Sequence, residues 1–104
     1  VWLNLGNSQV KDAYLEKIGL LQNLVKLDLR GNEITDKGIK HLSKLENLES
    51  LNLYGTKVSK GVLDLVPKLS RLKKLYLWQS EVSNETITLL KDQNPGLTVI
   101  FERE

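Results

Sequence analysis

The aromatic residues of this chain are spaced in a way that could serve recognition. Tyr54 and Trp78 stand 24 residues apart, and Tyr76 lies two before Trp78. Arg30 precedes Tyr54 by 24, Asn52 precedes Tyr76 by 24, and Asp28 precedes Asn52 by 24. Lys74 lies two before Tyr76. Residues two apart share one face of a strand, so a repeating strand would gather these side chains into a grid. Tyr, Trp and Arg are the types enriched where binding energy concentrates, with polar groups at the rim. Asp28, Arg30, Asn52, Tyr54, Lys74, Tyr76 and Trp78 are therefore the candidate partner-binding residues. The same aromatics could stack on sugar rings. They also have a purely structural use, because strands favour aromatics and cross-strand pairs contribute roughly 0.2–1 kcal/mol.

Other chemistry finds little support. The chain has no cysteine, which removes thiolate metal sites, thiol nucleophiles and haem attachment from this chain. His41 is the single histidine, and no carboxylate stands at a ligand-like spacing from it. It reads as a solvated helix residue. Ser43 and Asp36 form no nucleophile–base–orienter pattern. Gly31 and Gly55 belong to no phosphate-cradling motif and read as tight turns. We expect no catalytic, metal or cofactor site, and no enzyme activity.

Fifteen Lys and Arg against 13 Asp and Glu leave a net charge of +2. That balance is too even to argue for nucleic acid or an anionic membrane surface. The basic run Arg71, Lys73 and Lys74 reads as ordinary solvated surface. No apolar run approaches the ~20 residues of a membrane span. At 104 residues, 40% of them hydrophobic, the chain fits one small folded domain.

The elements that must position the grid follow from a period of 24. Leu3, Leu27, Leu51 and Leu75 hold it, as do Leu5, Leu29, Leu53 and Leu77. Val10, Ile34, Val58 and Val82 form a third column; Leu15, Ile39, Leu63 and Ile87 a fourth; Ile18, Leu42, Val66 and Leu90 a fifth. Val99 and Phe101 begin a partial fifth unit. Leu27-Asp28-Leu29 has the period of a strand, whereas Ile39, Leu42 and Leu45 mark one face of a short helix. Thr35, Ser59 and Ser83 stand where an N-cap belongs, and Lys11 fills that place in the first unit. Asp12, Asp36 and Glu85 put negative charge in the first turns. Asn23 and Asn47 are placed to end helices in the left-handed conformation. Pro67 should stop the third helix one residue earlier, and Gly19 shares its column.

Such a unit cannot bury its own apolar face, so copies must stack. Strands pack ~4.8 Å apart and helices ~8–10 Å apart. The helix side therefore splays, and a horseshoe arc follows with the strands inside.

Leu24 to Ile34 fits the consensus L-x-x-L-x-L-x-x-N-x-L, and the chain resembles the leucine-rich repeat family. The third and fourth units fit with Thr56 and Ser80 at the Asn place, and the first carries Ser8. The resemblance implies an α/β fold: a right-handed solenoid with a parallel sheet on the concave face and short helices on the convex face. About four repeats and a closing strand would form one domain over residues 1–104. It also implies that Asn32 hydrogen-bonds backbone in the turn after its strand, with the hydroxyls of Ser8, Thr56 and Ser80 forming a weaker ladder. More narrowly, Leu53 to Val58, Leu75 to Ser80 and Asn94 to Val99 resemble repeats at the C-terminal end of bacterial membrane-associated proteins carrying c-type cytochrome domains. That resemblance implies a C-terminal fragment of a longer, extracytoplasmic protein. No haem motif is present, so no redox chemistry carries over.

Alternation puts three columns on the concave face. They are Trp2, Lys26, Ser50, Lys74 and Thr98; Asn4, Asp28, Asn52, Tyr76 and Ile100; and Gly6, Arg30, Tyr54, Trp78 and Glu102. The expected function is a non-catalytic protein–protein interaction module acting through this face. Glycan binding and a structural or assembly role are the alternatives. The uncapped first strand could also pair edge to edge with a second molecule.

Overall fold

A computed structural model describes residues 1–101. Strand and helix alternate: β1 Trp2–Asn4, α1 Asp12–Ile18, β2 Lys26–Asp28, α2 Asp36–Ile39, β3 Ser50–Asn52, α3 Val62–Leu65, β4 Lys74–Tyr76, α4 Asn84–Gln93 and β5 Thr98–Ile100. The strands form one sheet in the order β1-β2-β3-β4-β5. Every pair is parallel, and Leu3, Leu27, Leu51, Leu75 and Val99 lie in register across it. Each helix is the crossover that a parallel return requires. The result is an open α/β solenoid with the 24-residue step expected. Glu102 lies outside the described residues.

The core sits between sheet and helices. Leu27, Leu29, Leu51, Leu53, Leu75 and Leu77 are at most 2% exposed, and the Val10 and Ile18 columns are buried throughout. The fourth column breaks once: Leu63 is half-buried and its neighbour Val62 is fully buried instead. A polar contact between coils accompanies it. The Ser59 N–H and hydroxyl both donate to Asp36, at 2.7 Å each. Ser59 is not an N-cap, and α3 starts later, after Gly61. A Cβ on Gly61 would lie 2.7 Å from the Asp36 Cβ, so this approach requires glycine. Thr35 and Ser83 do cap their helices, accepting from the N–H of Lys37 and Thr86.

Asp12 makes the same contact one coil earlier. It accepts the Thr35 N–H at 2.8 Å and the Thr35 hydroxyl at 2.5 Å. The first-turn aspartates thus tie coils together, beyond any local effect on a helix dipole. The ladder has no third rung of this kind, because Lys60 occupies the equivalent place.

The helices are shorter than expected. Ile39 ends α2, and a 3-10 helix runs over Lys40–Lys44. Spacing of three suits three residues per turn, which keeps Leu42 and Leu45 in the core. At Pro67 the α-helix stops at Leu65 and a 3-10 turn covers Val66–Lys68. Gly19 is the C-cap of α1. The expectation for Asn23 and Asn47 fails, since neither has positive φ. Asn47 instead bridges three coils, donating to the Gln22 carbonyl and accepting from Arg71 Nη1, each at 3.0 Å.

Four left-handed residues share a column, Asn7, Gly31, Gly55 and Gln79, with φ of 53°, 70°, 67° and 58°; Gln9, at 60°, stands outside it. Each strand leaves the sheet through this turn. Asn32 closes it. Its side chain accepts from Ser8 and Val10 N–H and donates to the Leu5, Leu29 and Arg30 carbonyls. Thr56, Ser80 and Ser8 donate only within their own coils, to Leu53, Leu77 and Gly6. The weaker ladder expected of hydroxyls is what the fold contains.

Candidate functional site on the concave face

Strand alternation sends the leucines inward and the intervening side chains onto the concave surface. Asp28, Asn52, Lys74 and Tyr76 lie on the strands, and Arg30, Tyr54 and Trp78 in the turns that follow them; Arg30 and Lys74 are exposed and the other five half-buried.

They come together as small units. The Tyr54 and Trp78 rings lie 4.9 Å apart between centroids, tilted by 35°, within the range of favourable aromatic pairs. The residues before them, Leu53 and Leu77, are fully buried in the core. Lys74 Nζ lies 5.9 Å from the Tyr76 ring centre, at the outer limit of a cation–π contact. Arg30 Nε lies 3.5 Å from Asp28 Oδ2; this exposed pair contributes little to stability.

Asp28 and Asn52 have a second task that spacing did not reveal. Asp28 Oδ1 accepts the Arg30 N–H and Asn52 Oδ1 accepts the Tyr54 N–H. Asn4 does the same for Gly6. These side chains hold the exit from each strand, which aims Arg30 and Tyr54.

A shallow groove of about 310 Å³ crosses the first strands, lined in part by Trp2, Asn4, Lys26, Asp28, Asn52 and Tyr76. Lys26 Nζ sits 4.1 Å from the Trp2 ring centre. Trp2 and Lys26 are thus concave-face residues outside the original seven. The signal for Lys26 was its column, which it shares with Lys74. Among the described residues, no three His, Cys, Asp or Glu side chains group so as to hold a metal ion. No helix among them is long and apolar enough to cross a membrane.

Comparison with known proteins agrees with this architecture. A family model described as "Leucine Rich repeat" matches residues 21–43, the stretch around Asn32. A solved leucine-rich repeat protein of Leptospira interrogans is similar with a TM-score of 0.64 and 21% identity, over 83% of this chain. The chain spans 21% of that protein's length. No curated protein matches the sequence. The parallel five-stranded sheet, its crossover helices and this structural match together give the chain the leucine-rich repeat fold.

Proposed function

We propose that this chain is a non-catalytic protein-recognition module that binds a protein segment on its concave sheet face. The observation that carries the reading is the half-buried Tyr54–Trp78 ring pair. Rigid aromatics of this kind anchor partners with little loss of side-chain entropy. Asp28, Arg30, Asn52, Lys74 and Tyr76 supply the polar rim. Five strands at ~4.8 Å spacing span ~20 Å, and about five residues each at ~3.3 Å make the face roughly 350 Å², short of the ~800 Å² that a standard interface needs from each partner. We therefore expect weak binding from this segment alone.

The test compares Trp78→Ala and Tyr54→Ala with the convex-face change Lys40→Glu. Proteins captured from the source cell are identified, and each is titrated by calorimetry. Loss of affinity with the two concave variants and none with Lys40→Glu supports the reading. The opposite pattern places the interface on the helices.

Glycan binding is the second reading, favoured by the polar and aromatic lining of the groove at Trp2, Asn4, Asp28 and Tyr76. A glycan array with wild type and Trp2→Ala, a groove residue outside the protein-binding seven, separates the two. The resemblance of the later repeats to cytochrome-linked bacterial proteins supports one further proposal: a place in a longer, extracytoplasmic protein.

A further inference from the structure

The concave face is not electrically neutral. Among the described residues it carries Lys26, Arg30 and Lys74 against a single carboxylate, Asp28. Asp28 is already engaged by one of the three: its Oδ2 lies 3.5 Å from Arg30 Nε, and its Oδ1 accepts the Arg30 N–H. The two lysines have no such counter-charge. Both are exposed, and neither is ion-paired among the described residues. Each ammonium lies instead near an aromatic ring, Lys26 at 4.1 Å from the Trp2 centre and Lys74 at 5.9 Å from the Tyr76 centre. The other members of the basic run around Lys74 are occupied elsewhere. Arg71 Nη1 donates to Asn47 Oδ1, and Lys73 Nζ lies 3.8 Å from Glu49.

Strand register fixes the separation of the two free charges. Lys26, Ser50 and Lys74 are partners across β2, β3 and β4, so the lysines stand two strand spacings apart, roughly 10 Å. Ser50 between them is short and half-buried, and it lines the shallow groove. An extended polyproline-type chain returns a side chain to the same side every three residues, after about 9.3 Å. Carboxylates three residues apart in such a chain therefore match the two ammonium groups.

We propose that the concave face selects an acidic peptide segment. Two carboxylates three residues apart sit on Lys26 and Lys74, and an apolar side chain of the same segment packs on the Tyr54–Trp78 pair. This rests on the protein-recognition reading above and adds the charge of the partner. Each carboxylate draws an ammonium off its ring, replacing a cation–π contact with a stronger charge-assisted hydrogen bond. The Trp2 and Tyr76 rings are then free to pack on the partner. A polyanionic glycan fits less well, because Asp28 stands between the lysine column and the aromatic column and opposes an unbroken run of negative charge.

The test pans a displayed library of random dodecapeptides on the chain at low salt, then titrates the selected peptides as synthetic copies. Enriched peptides should carry Asp or Glu three apart. They should bind at least about tenfold more weakly to the double variant Lys26→Glu/Lys74→Glu, whose dichroism and melting stay unchanged. Exchanging the acids of a peptide for lysine should restore binding to that variant and abolish it on the wild type. Enrichment of neutral or basic peptides that lose affinity with Trp78→Ala overturns the acidic partner and leaves the concave-face reading standing. Peptides that bind Trp78→Ala and the double variant as tightly as wild type, or no enrichment over bare matrix, overturn both. Heparin held as tightly as the selected peptides overturns the proposal in favour of a polyanion.

Discussion

Replacing Asn32 by alanine probes the joint between the first two coils. Asn32 is 3% exposed. Its Oδ1 accepts the Ser8 and Val10 N–H groups at 3.1 and 3.0 Å, and its Nδ2 donates to the Leu5 and Leu29 carbonyls at 2.9 Å each. Alanine leaves two N–H groups in a shielded turn without their acceptor. Each stranded group costs about 1–3 kcal/mol, so the two together should cost about 2–6 kcal/mol. A small domain has only about 5–15 kcal/mol in total. The loss should also be local, because Ser8, Val10 and Leu5 all belong to the first coil. Repeat arrays unfold piecewise when one interface is weakened. Urea titration followed by far-ultraviolet dichroism and by Trp2 fluorescence, in a Trp78→Phe background, reads both effects. The Trp2 transition should move to lower urea and separate from the dichroism. Thr56→Ala removes a single bond within one coil and should cost about 1 kcal/mol. If Asn32→Ala costs no more than Thr56→Ala, or the two probes stay coincident, the cross-coil role assigned to Asn32 is wrong.

Other outcomes follow from the same geometry. Gln79→Gly should stabilise by about 0.5–1 kcal/mol, since leaving a left-handed non-glycine costs about 1–2 and glycine's extra chain entropy offsets part of it. Gly55→Ala should lose about 1–2 kcal/mol through its positive φ alone, because its Cβ would meet nothing closer than 3.7 Å; thermal melts check both. Asp36→Ala removes two bonds to Ser59 and should cost about 1–3 kcal/mol, whereas Lys60→Ala, on an exposed side chain without that role, should stay within about 0.5. Trp78→Ala should weaken partner binding well beyond any stability change, since the aromatic pair contributes only about 0.5–1.5 kcal/mol; calorimetry beside a urea titration separates the two.

Much of this molecule could be read from one period. A step of 24 residues placed every strand in register, put the leucines inside, and assigned all seven candidate side chains to the concave face. Period-2 alternation is a local rule, and stacking near-copies leaves the chain no other way to bury its leucines. The rest depended on how closely neighbouring coils approach. Asp12 and Asp36 looked like helix-dipole partners, yet they reach across to Thr35 and Ser59. Ser59 looked like a cap and instead donates to that carboxylate, while α3 starts after Gly61 and Val62 takes the buried place expected for Leu63. Asn47 looked like a helix stop and became a bridge between coils. Periodicity tells which residues share a column. It does not tell whether a polar side chain bonds along its own coil or across to the next, because that choice turns on ångström-scale spacing between backbones brought together only when the coils stack.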